Sequence, residues 1–397
     1  MEWIEKTLGE LGDIVGGATP STKHEEYYGG NIAWITPKDL SLLKGRYISY
    51  GERSITEAGL ASCSAQMMPP NTVLFTSRAP IGYVAIARQS VCTNQGFKSV
   101  VPHECVDSLF LYYLLKFNKE RIEAMGSGTT FKEVSGKTMK AVQVRIPCKI
   151  EDQKKIASIL DSIDSKIENN AKINDNLQQH AAAIFRSWFV DYVPFGGTAP
   201  DGWENVTLED ITALVSRGIT PKYADDTDQI VINQKCIRNH MIDLSFARSH
   251  KPKVINDKWL QFGDLLINST GDGTLGRAAQ VWFQPHNLTV DSHVTIVRPA
   301  AENMIFYIGL WGTQHEKEIE SLHTGSTGQT ELPRDRVKAL ELLLPDKETL
   351  DRFNALIAPM AGAIVLNQEE NNRLASIRDA LLPKLMSGEI DVSDVKL

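Results

Sequence analysis

Three glycines in the segment GDGTLG have the spacing of a nucleotide-binding turn. Gly271, Gly273 and Gly276 spell G-x-G-x-x-G after an apolar run typical of a strand. In dinucleotide-binding folds a helix follows this pattern, because its N-terminus holds the phosphates. Here RAAQVWFQP follows instead, and its composition favours another strand. The segment is therefore predicted to be a tight turn between two strands, without a cofactor.

Other signatures of catalysis are missing from the sequence. DNA-adenine methyltransferases carry Asn/Asp-Pro-Pro followed by an aromatic residue, whereas the Pro-Pro pair here stands in Met68–Asn71, MPPN. No P-loop with its lysine is present, so a motor ATPase is not expected. The five cysteines are scattered without a C-x-x-C pair, and His293 has no second histidine at ligand spacing. We therefore expect neither a disulfide framework nor a metal site.

Charge and hydropathy place the chain in a broad class. The net charge is −7, yet residues 1–150 carry 17 Lys and Arg against 14 Asp and Glu. Because phosphate contacts need a local basic patch, these numbers neither establish nor exclude nucleic-acid binding. The acidic start MEWIEKTLGELGDIV lacks the apolar core of a signal peptide, and we find no run of about 20 apolar residues that could cross a bilayer. A cytoplasmic protein is expected.

Segments of the first half of the chain recur in the second half, about two hundred residues later. Such a repeat determines the fold assignment and is therefore established first. Each half has short β-rich runs between Gly, Pro and Asn turns, and one amphipathic helix is predicted near 107–125 and another near 302–322. The matching pairs are GDIVGGATP (12–20) with TALVSRGITP (212–221), TVLFTSRAPIGYVAIA (72–87) with DLLINSTGDGTLGRAAQ (264–280), FKSVVP (97–102) with VTIVRP (294–299), and GSGTTFKEVSGKTMKAVQVRIP (126–147) with GSTGQTELPRDRVKALELLLP (325–345).

A long helix is predicted after each half. Residues at alternating spacings of four and three form the heptad seam of a coiled coil, and adding 197 to each position of the first seam gives the second. The first seam is Ile156, Leu160, Ile163, Ile167, Asn170, Asn174, Leu177, Ala181, Ile184 and Trp188; the second is Phe353, Ile357, Met360, Ile364, Asn367, Asn371, Leu374, Arg378, Leu381 and Leu385.

Both seams carry two asparagines at their middle. If the helices pair antiparallel, Asn170 meets Asn371 and Asn174 meets Asn367, which would fix register and orientation. The alternative is that these side chains face solvent.

Three further expectations concern the ends of the seams. Arg378 is the one charge in either seam, and the neighbouring Ile377 is expected to share its packing. Pro359 is expected to disrupt or kink the second helix near its start. Trp188 and Phe189 are expected to pack between helix and domain, the alternative being an exposed partner surface.

The order of domain, long helix, domain, long helix resembles the specificity subunit of type I restriction–modification systems. LFTSRAPIGYVAIA, TNQGFKSVVP and the ending RDALLPKLMSGEI carry the resemblance, which covers essentially the whole chain. It implies a non-catalytic subunit whose two target recognition domains each read one half of a bipartite DNA sequence, while the helix pair measures the gap. The implied partners are double-stranded DNA, two methyltransferase subunits and two restriction subunits. S-adenosylmethionine is expected on the methyltransferase and no cofactor on this chain.

The expected fold is α+β. Two similar strand-rich target recognition domains are separated by an antiparallel pair of long coiled-coil helices with pseudo-two-fold symmetry. The expected bounds are 1–150 for the first recognition domain, 151–192 for the first helix, 193–345 for the second domain, 346–390 for the second helix and 391–397 for a tail. Because the two domains differ in sequence, an asymmetric target is expected. The rival functions are a self-sufficient DNA methyltransferase and a coiled-coil scaffold without DNA binding.

Candidate DNA-contacting residues are polar loop positions that both the repeat and the family resemblance mark. Arg and Lys suit guanine edges or phosphates, Asn and Gln suit adenine edges, and Ser and Thr suit either. The alternative for each is a turn or capping role, and for Asn94 and Gln95 internal hydrogen bonding. The candidates are Thr36, Lys38, Asp39, Ser77, Arg78, Thr93, Asn94, Gln95, Thr129, Thr130 and Lys132 in the first half, and Asn233, Gln234, Lys235, Arg238, Asn268, Ser269, Asp291, His293, Ser326, Thr327 and Gln329 in the second.

Overall fold

The computed structural model describes residues 1–128, 132–225, 227–271, 273–325 and 330–395. It divides into two compact units. The first unit comprises Met1–Asn169 and Asn371–Leu397, and the second comprises Asn170–Glu370. We call residues 1–149 the first head and residues 190–346 the second head. Each unit therefore contains one head together with parts of two long helices.

The first head is built around a mainly antiparallel sheet. Its central strand, Val73–Ser77, is buried along its whole length, including the polar Thr76 and Ser77 that follow its apolar start. The sheet order is Gly12–Gly16, Lys98–Pro102, Val73–Ser77, Ile81–Ala87 and Tyr47–Ile48; a second sheet contains Ser54–Ile55, Tyr28–Ile35 and Cys92–Thr93; a third pairs Trp3–Thr7 with Gln143–Pro147. The short helices are Leu8–Leu11, Pro37–Ser41, Glu57–Ala61, Ser108–Phe117, Lys119–Ala124 and Gly136–Ala141.

The second head repeats this arrangement with fewer strands in its main sheet. The main sheet order is Thr212–Arg217, Val294–Pro299, Leu265–Asn268 and Ala278–Gln280; a second sheet contains Arg248–Ser249, Ile230–Ile232 and Leu288–Val290; Glu204–Thr207 pairs with Glu341–Leu344 and Ile237–Arg238 with Met241–Ile242. The short helices are Ile305–Gln314, Glu316–Ser321 and Arg334–Lys338. The segments matched in sequence thus form matching strands, and the α+β fold class is confirmed.

The amphipathic helix predicted in each half is two helices. Ser108–Phe117 is followed by Lys119–Ala124, and the break lies at Asn118, whose Nδ2 donates to the carbonyl oxygen of Leu114 at 2.8 Å. In the second head, Ile305–Gln314 and Glu316–Ser321 are separated at His315. A side chain that bonds the preceding turn competes with helix continuation, which the apolar periodicity does not reveal.

The two long helices are Ile150–Phe189 and Lys347–Ser387. They pair antiparallel within each unit. In the first unit, Asn371 Nδ2 donates to the carbonyl oxygen of Ile167 at 3.3 Å. In the second unit, the rings of Phe185 and Phe353 lie 6.1 Å apart.

Two expectations about the second long helix need correction. Pro359 does not interrupt the second long helix, since Lys347–Ser387 runs through it as one element, while a kink at Pro359 stays a prediction. Ile377 does not share the packing of Arg378, because Ile377 is 49% exposed. The arginine side chain is 22% exposed and forms an ion pair.

Within the described residues, Lys347–Ser387 is the one helix long and apolar enough to cross a membrane by length and composition, with a mean hydropathy of 1.2 over an 18-residue window. The apolar character of this helix is not visible as a run of consecutive apolar residues in the sequence. Phe353, Ile357, Ala361 and Ile364 are fully buried in the core of the second unit. This packing accounts for part of the apolar composition of the helix, whereas Leu356 and Leu366 are 45% and 65% exposed.

Candidate nucleic-acid interface

Four candidate segments of the first head meet at one place. The backbone NH of Ser77 donates to the Gly96 carbonyl at 2.7 Å, and the Ser77 carbonyl accepts from the NH of Val134 at 3.0 Å. The NH of Asn94 donates to the Ile35 carbonyl at 3.0 Å. We call this meeting point, formed by residues 35–39, 77–78, 93–96 and 132–134, the first polar corner.

The second head contains the same three hydrogen bonds. The NH of Ser269 donates to the His293 carbonyl at 2.8 Å, and the Ser269 carbonyl accepts from the NH of Leu332 at 2.8 Å. The NH of Asp291 donates to the Ile232 carbonyl at 2.9 Å. The second polar corner therefore comprises residues 232–238, 268–270, 291–293 and 330–332.

The segment after Ile35 begins with a capping box. The NH and Oγ1 of Thr36 both donate to Asp39 Oδ2 at 2.7 Å, while Asp39 Oδ1 accepts from the NH of Glu52 at 2.7 Å. Both carboxylate oxygens of Asp39 thus hold the turn. The exposed Lys38 lies 2.6 Å from Glu52 Oε2, and this hydrogen bond raises the pKa of Lys38.

The outer side of the first corner carries basic side chains. Arg78 is 35% exposed, with its Nη1 3.7 Å from Glu133 Oε2. Lys98 lies 3.4 Å from the same carboxylate, and Lys132 is exposed. The exposed Gln95 accepts a hydrogen bond from the Thr19 hydroxyl. The corner therefore presents cations and an amide to solvent.

Three candidates of the first corner point inward. Ser77 and Thr93 are buried, and neither hydroxyl has a hydrogen-bond partner among the described residues. Asn94 Oδ1 accepts from the NH of Gly96 at 2.9 Å, which is the internal role given as the alternative. In this structure, the Asn94 side chain holds the turn at Gly96.

The inward candidates of the second corner are more fully bonded. Asn268 Nδ2 donates to the carbonyls of Gln234 and Thr274 at 3.0 and 3.1 Å. The hydroxyls of the buried Ser269 and Thr295 lie 2.6 Å apart.

Asp291 and Asn233 also hold turns in this corner. Asp291 Oδ1 accepts from the NH of His293 at 2.9 Å, and burial raises the pKa of Asp291. Asn233 Oδ1 accepts from the NH of Lys235 at 2.9 Å, while its Nδ2 donates to the Phe246 carbonyl at 2.7 Å.

Lys235, Arg238 and His293 are exposed at the second corner, and Gln234 is half-buried. The Arg238 guanidinium lies 4.5 Å from the centre of the Phe246 ring, and its Nε donates to the Lys235 carbonyl at 3.0 Å. Stacking on a ring holds a guanidinium in a fixed orientation. The His293 Nδ1 is 2.7 Å from the Thr270 hydroxyl.

Five candidates, Thr129, Thr130, Ser326, Thr327 and Gln329, lie outside the described residues. Their described flanks are alike, because Ser127 pairs with Glu133 and Thr324 with Glu331 as antiparallel bridges.

Sequence reasoning missed several charged residues. Arg217 pairs with Glu331 and donates to the Leu332 carbonyl at 2.7 Å beside the second corner. In the first unit, a cleft of about 390 Å³ is lined by Lys116 and Lys119 among other charged side chains. Burial lowers the pKa of Lys116. Strand and helix patterns carry no signal for such pairs, which come from distant segments.

Two predictions about residues outside the polar corners are confirmed. The first is that the glycine-rich segment forms a turn between two strands. Gly271, Gly273 and Gly276 have φ of 106°, 65° and 81°, in a turn between the antiparallel strands Leu265–Asn268 and Ala278–Gln280. Glycine suits these values because it has no Cβ.

The second concerns the aromatic residues at the end of the first long helix, which pack inward. Phe189 is buried, with its ring 5.7 Å from Trp203 and 4.8 Å from Phe353. Trp188 packs partly buried against the same core. The expected packing of helix against head is therefore confirmed.

Comparison with known proteins decides the family. The family model for the type I restriction modification DNA specificity domain matches residues 1–179. The type I restriction enzyme MjaIX specificity subunit of Methanocaldococcus jannaschii is 35% identical, over 99% of this chain and 95% of that protein. The chain belongs to the type I restriction–modification specificity subunit family.

Other members of the specificity subunit family agree. The HindI specificity subunit of Haemophilus influenzae is 24% identical, over 71% of this chain and 77% of that protein. The crystal structure of the S subunit of a type I restriction–modification system from M. genitalium matches with a TM-score of 0.58 at 17% identity, over 97% of this chain and 96% of that one. This last likeness shows the shared fold, and the resemblance found in the sequence is confirmed.

Proposed function

We propose that each head binds one half of a split DNA sequence through its polar corner. The observation that carries this proposal is the recurrence of the same three backbone hydrogen bonds in both heads, at Ser77 and Asn94 and at Ser269 and Asp291. A corner that positions four loops on a rigid strand framework is a suitable scaffold for reading base edges.

The outward-facing side chains of the two corners supply the hydrogen-bond donors for DNA. Arg78 and Lys132 in the first corner and Lys235 and Arg238 in the second are donors for guanine edges or phosphate oxygens. The two sets differ in type and setting, since Arg78 lies beside a glutamate whereas Arg238 stacks on a phenylalanine. Unlike corners favour unlike half-sites, and therefore an asymmetric target.

The long helices are proposed to set the gap between the half-sites. Their surfaces are also proposed to dock two methyltransferase subunits, with two restriction subunits joining the full complex. In this account, the chain is non-catalytic and cytoplasmic and holds no cofactor, while S-adenosylmethionine binds the methyltransferase. The family membership and the missing catalytic signatures support this division of labour.

A genome-wide map of methylated adenines, made with and without this gene, tests the proposal. Loss of one motif made of two short unlike parts around a fixed gap is expected in the deletion strain. Reintroducing the gene with its partner methyltransferase should restore that motif. A map that stays the same in both strains, while the partner methyltransferase is shown to be expressed, would contradict the proposal.

A further inference from the structure

The seam between the long helices contains a partly buried ion pair in the first unit. Arg378 Nη1 lies 2.9 Å from Asp164 Oδ1, and the two side chains are 22% and 7% exposed. The Tyr113 hydroxyl donates to Asp164 Oδ2 at 2.8 Å, and Arg46 Nη1 lies 3.8 Å from that oxygen. Asp164 is therefore buried among three partners. Of these three, only Arg378 belongs to the other long helix.

The repeat places alanines where the second unit would carry this pair. At the offset of 197 that relates the seams, Asp164 corresponds to Ala361 and Arg378 corresponds to Ala181. Both alanines are fully buried in the core of the second unit. Each long helix thus carries one charge and one alanine at equivalent positions, but in opposite order along the chain.

Because the seams are repeats, two copies of the same helix could also pair antiparallel in the same register. In such a like pair of first helices, Asn170 of one copy would face Asn174 of the other, just as asparagines face each other in the observed pairing. The asparagines therefore do not distinguish like pairs from the observed pair. Asp164 would face Ala181 of the other copy and lose Arg378. In a like pair of second helices, the ion pair would be lost in the same way.

We propose that Asp164 and Arg378 select the pairing of the first long helix with the second, and disfavour like pairs formed by two copies of this chain. Removing a cationic partner from a buried carboxylate is unfavourable, and in a like pair of first helices both copies of the buried Asp164 would lose Arg378. In like pairs of first helices, Asp164 keeps Tyr113 and Arg46 from its own head. In like pairs of second helices, Arg378 keeps the exposed Asp379, 2.8 Å away.

The sharpest test moves the arginine between equivalent positions of the full-length chain. The variant Arg378→Ala with Ala181→Arg keeps composition and net charge, but it places the partner of Asp164 on the first helix of a second copy. Two differently tagged copies are co-expressed and the co-purified fraction is measured, with molar mass from light scattering. The variant should co-purify at least about tenfold more than the original chain, as a dimer. Equal co-purification of a folded variant would overturn the proposal, as would a strongly dimeric original chain.

A second variant covers the case in which the substitution Ala181→Arg prevents folding of the second unit. Asp164→Ala with Arg378→Ala leaves alanine at all four positions, so these positions no longer favour the unlike pair over like pairs. Co-purification should rise here too, and an unchanged value with unchanged helix content would overturn the proposal. The matched control removes the exposed Lys347–Asp351 pair by alanine at both positions and should leave co-purification as in the original chain. No DNA enters these measurements, so they do not depend on the proposed function.

Discussion

Asn367 Nδ2 donates a hydrogen bond of 2.8 Å to Asn174 Oδ1 in the seam of the second unit. Asn174 is 8% exposed, and its own Nδ2 lies 3.5 Å from the Ile364 carbonyl. This is the contact that the seam positions predict for an antiparallel pair. Asn170 and Asn371 belong to different units, and Asn170 Nδ2 donates to Glu370 Oε2 at 2.7 Å. A polar pair inside an apolar seam favours one register, because any shift leaves a buried amide unbonded.

Replacing both members of this pair should therefore cost less than the sum of the two single replacements. Asn174→Leu leaves the Asn367 amide facing an apolar side chain, and we expect a loss of about 1–3 kcal/mol in the free energy of unfolding. The double variant, with leucine at both positions, should lose less than the sum of the two single variants. Urea unfolding of the four proteins gives the coupling energy. Additive losses would show that the two amides do not depend on each other.

Arg46 should be the most sensitive arginine of the first head. It is 5% exposed, and its guanidinium lies 3.3 Å from Asp161, 3.8 Å from Asp164 and 3.6 Å from Glu168. Arg46→Met would remove the cation that these three carboxylates share, at a cost of about 3–5 kcal/mol. Urea unfolding of the full-length chain measures this loss in the free energy of unfolding. The exposed Arg88 is the control, and an equal effect of Arg88→Met would contradict the role given to Arg46.

The basic residues of the polar corners should govern DNA affinity. Arg78→Ala and Arg238→Ala should each weaken binding of the assembled complex to its target. Where the side chain contacts a phosphate, the slope of log affinity against log salt should fall by about one. Titration of fluorescent duplex at several salt concentrations measures both quantities. Arg88→Ala, outside the corners, is the control. Unchanged affinity and slope in both corner variants would remove these residues from the interface.

His240 gives the second head a pH dependence of known sign. Its Nδ1 lies 3.3 Å from Glu316 Oε1, and this hydrogen bond raises the pKa of His240 above its ordinary value of 6.5. The contribution to stability is therefore fully present below that value and is lost as pH rises through the folded-state pKa. The side chain is 51% exposed, so the effect is below about 1 kcal/mol.

Urea unfolding of the original chain and of His240→Gln at several pH values tests this. The original chain should be the more stable below pH 6.5, and the difference should shrink as pH rises. A difference that grows with pH would contradict the assignment.

Much of the fold follows from local patterns in the sequence. The strand pairs at 72–87 and 264–280 were predictable because their signals, apolar runs and turn glycines, lie within a few residues of each other in the sequence. The seam was predictable because its period and its asparagines are repeated. The pairing of Arg378 was not, because its partner Asp164 lies on a different helix and next to the predicted seam position. A charged residue in a seam has no visible partner until the two helices are placed together.

The candidate site shows the same limit. Which loops carry the candidates could be inferred from the repeat, but which of these loops meet and which side chains face outward could not. Ser77 ends a buried strand and Ser269 directly follows one, and both are buried where their backbone groups bond to distant segments. Arg78 and Arg238 keep part of their surface in solvent. The direction of a side chain at a strand end depends on these long-range bonds, which residue type does not reveal.

Changing the length of the helix pair shows whether the long helices set the gap between the two half-sites. Four residues inserted after Lys166 and four after Leu374, opposite each other in the register of Asn174 and Asn367, lengthen both helices by about 6 Å. At about 3.4 Å per base pair, the gap between the half-sites should grow by about one or two base pairs, with both half-sites unchanged. A methylated-adenine map of cells carrying this variant would show the gap. The same half-sites around the original gap would contradict the account.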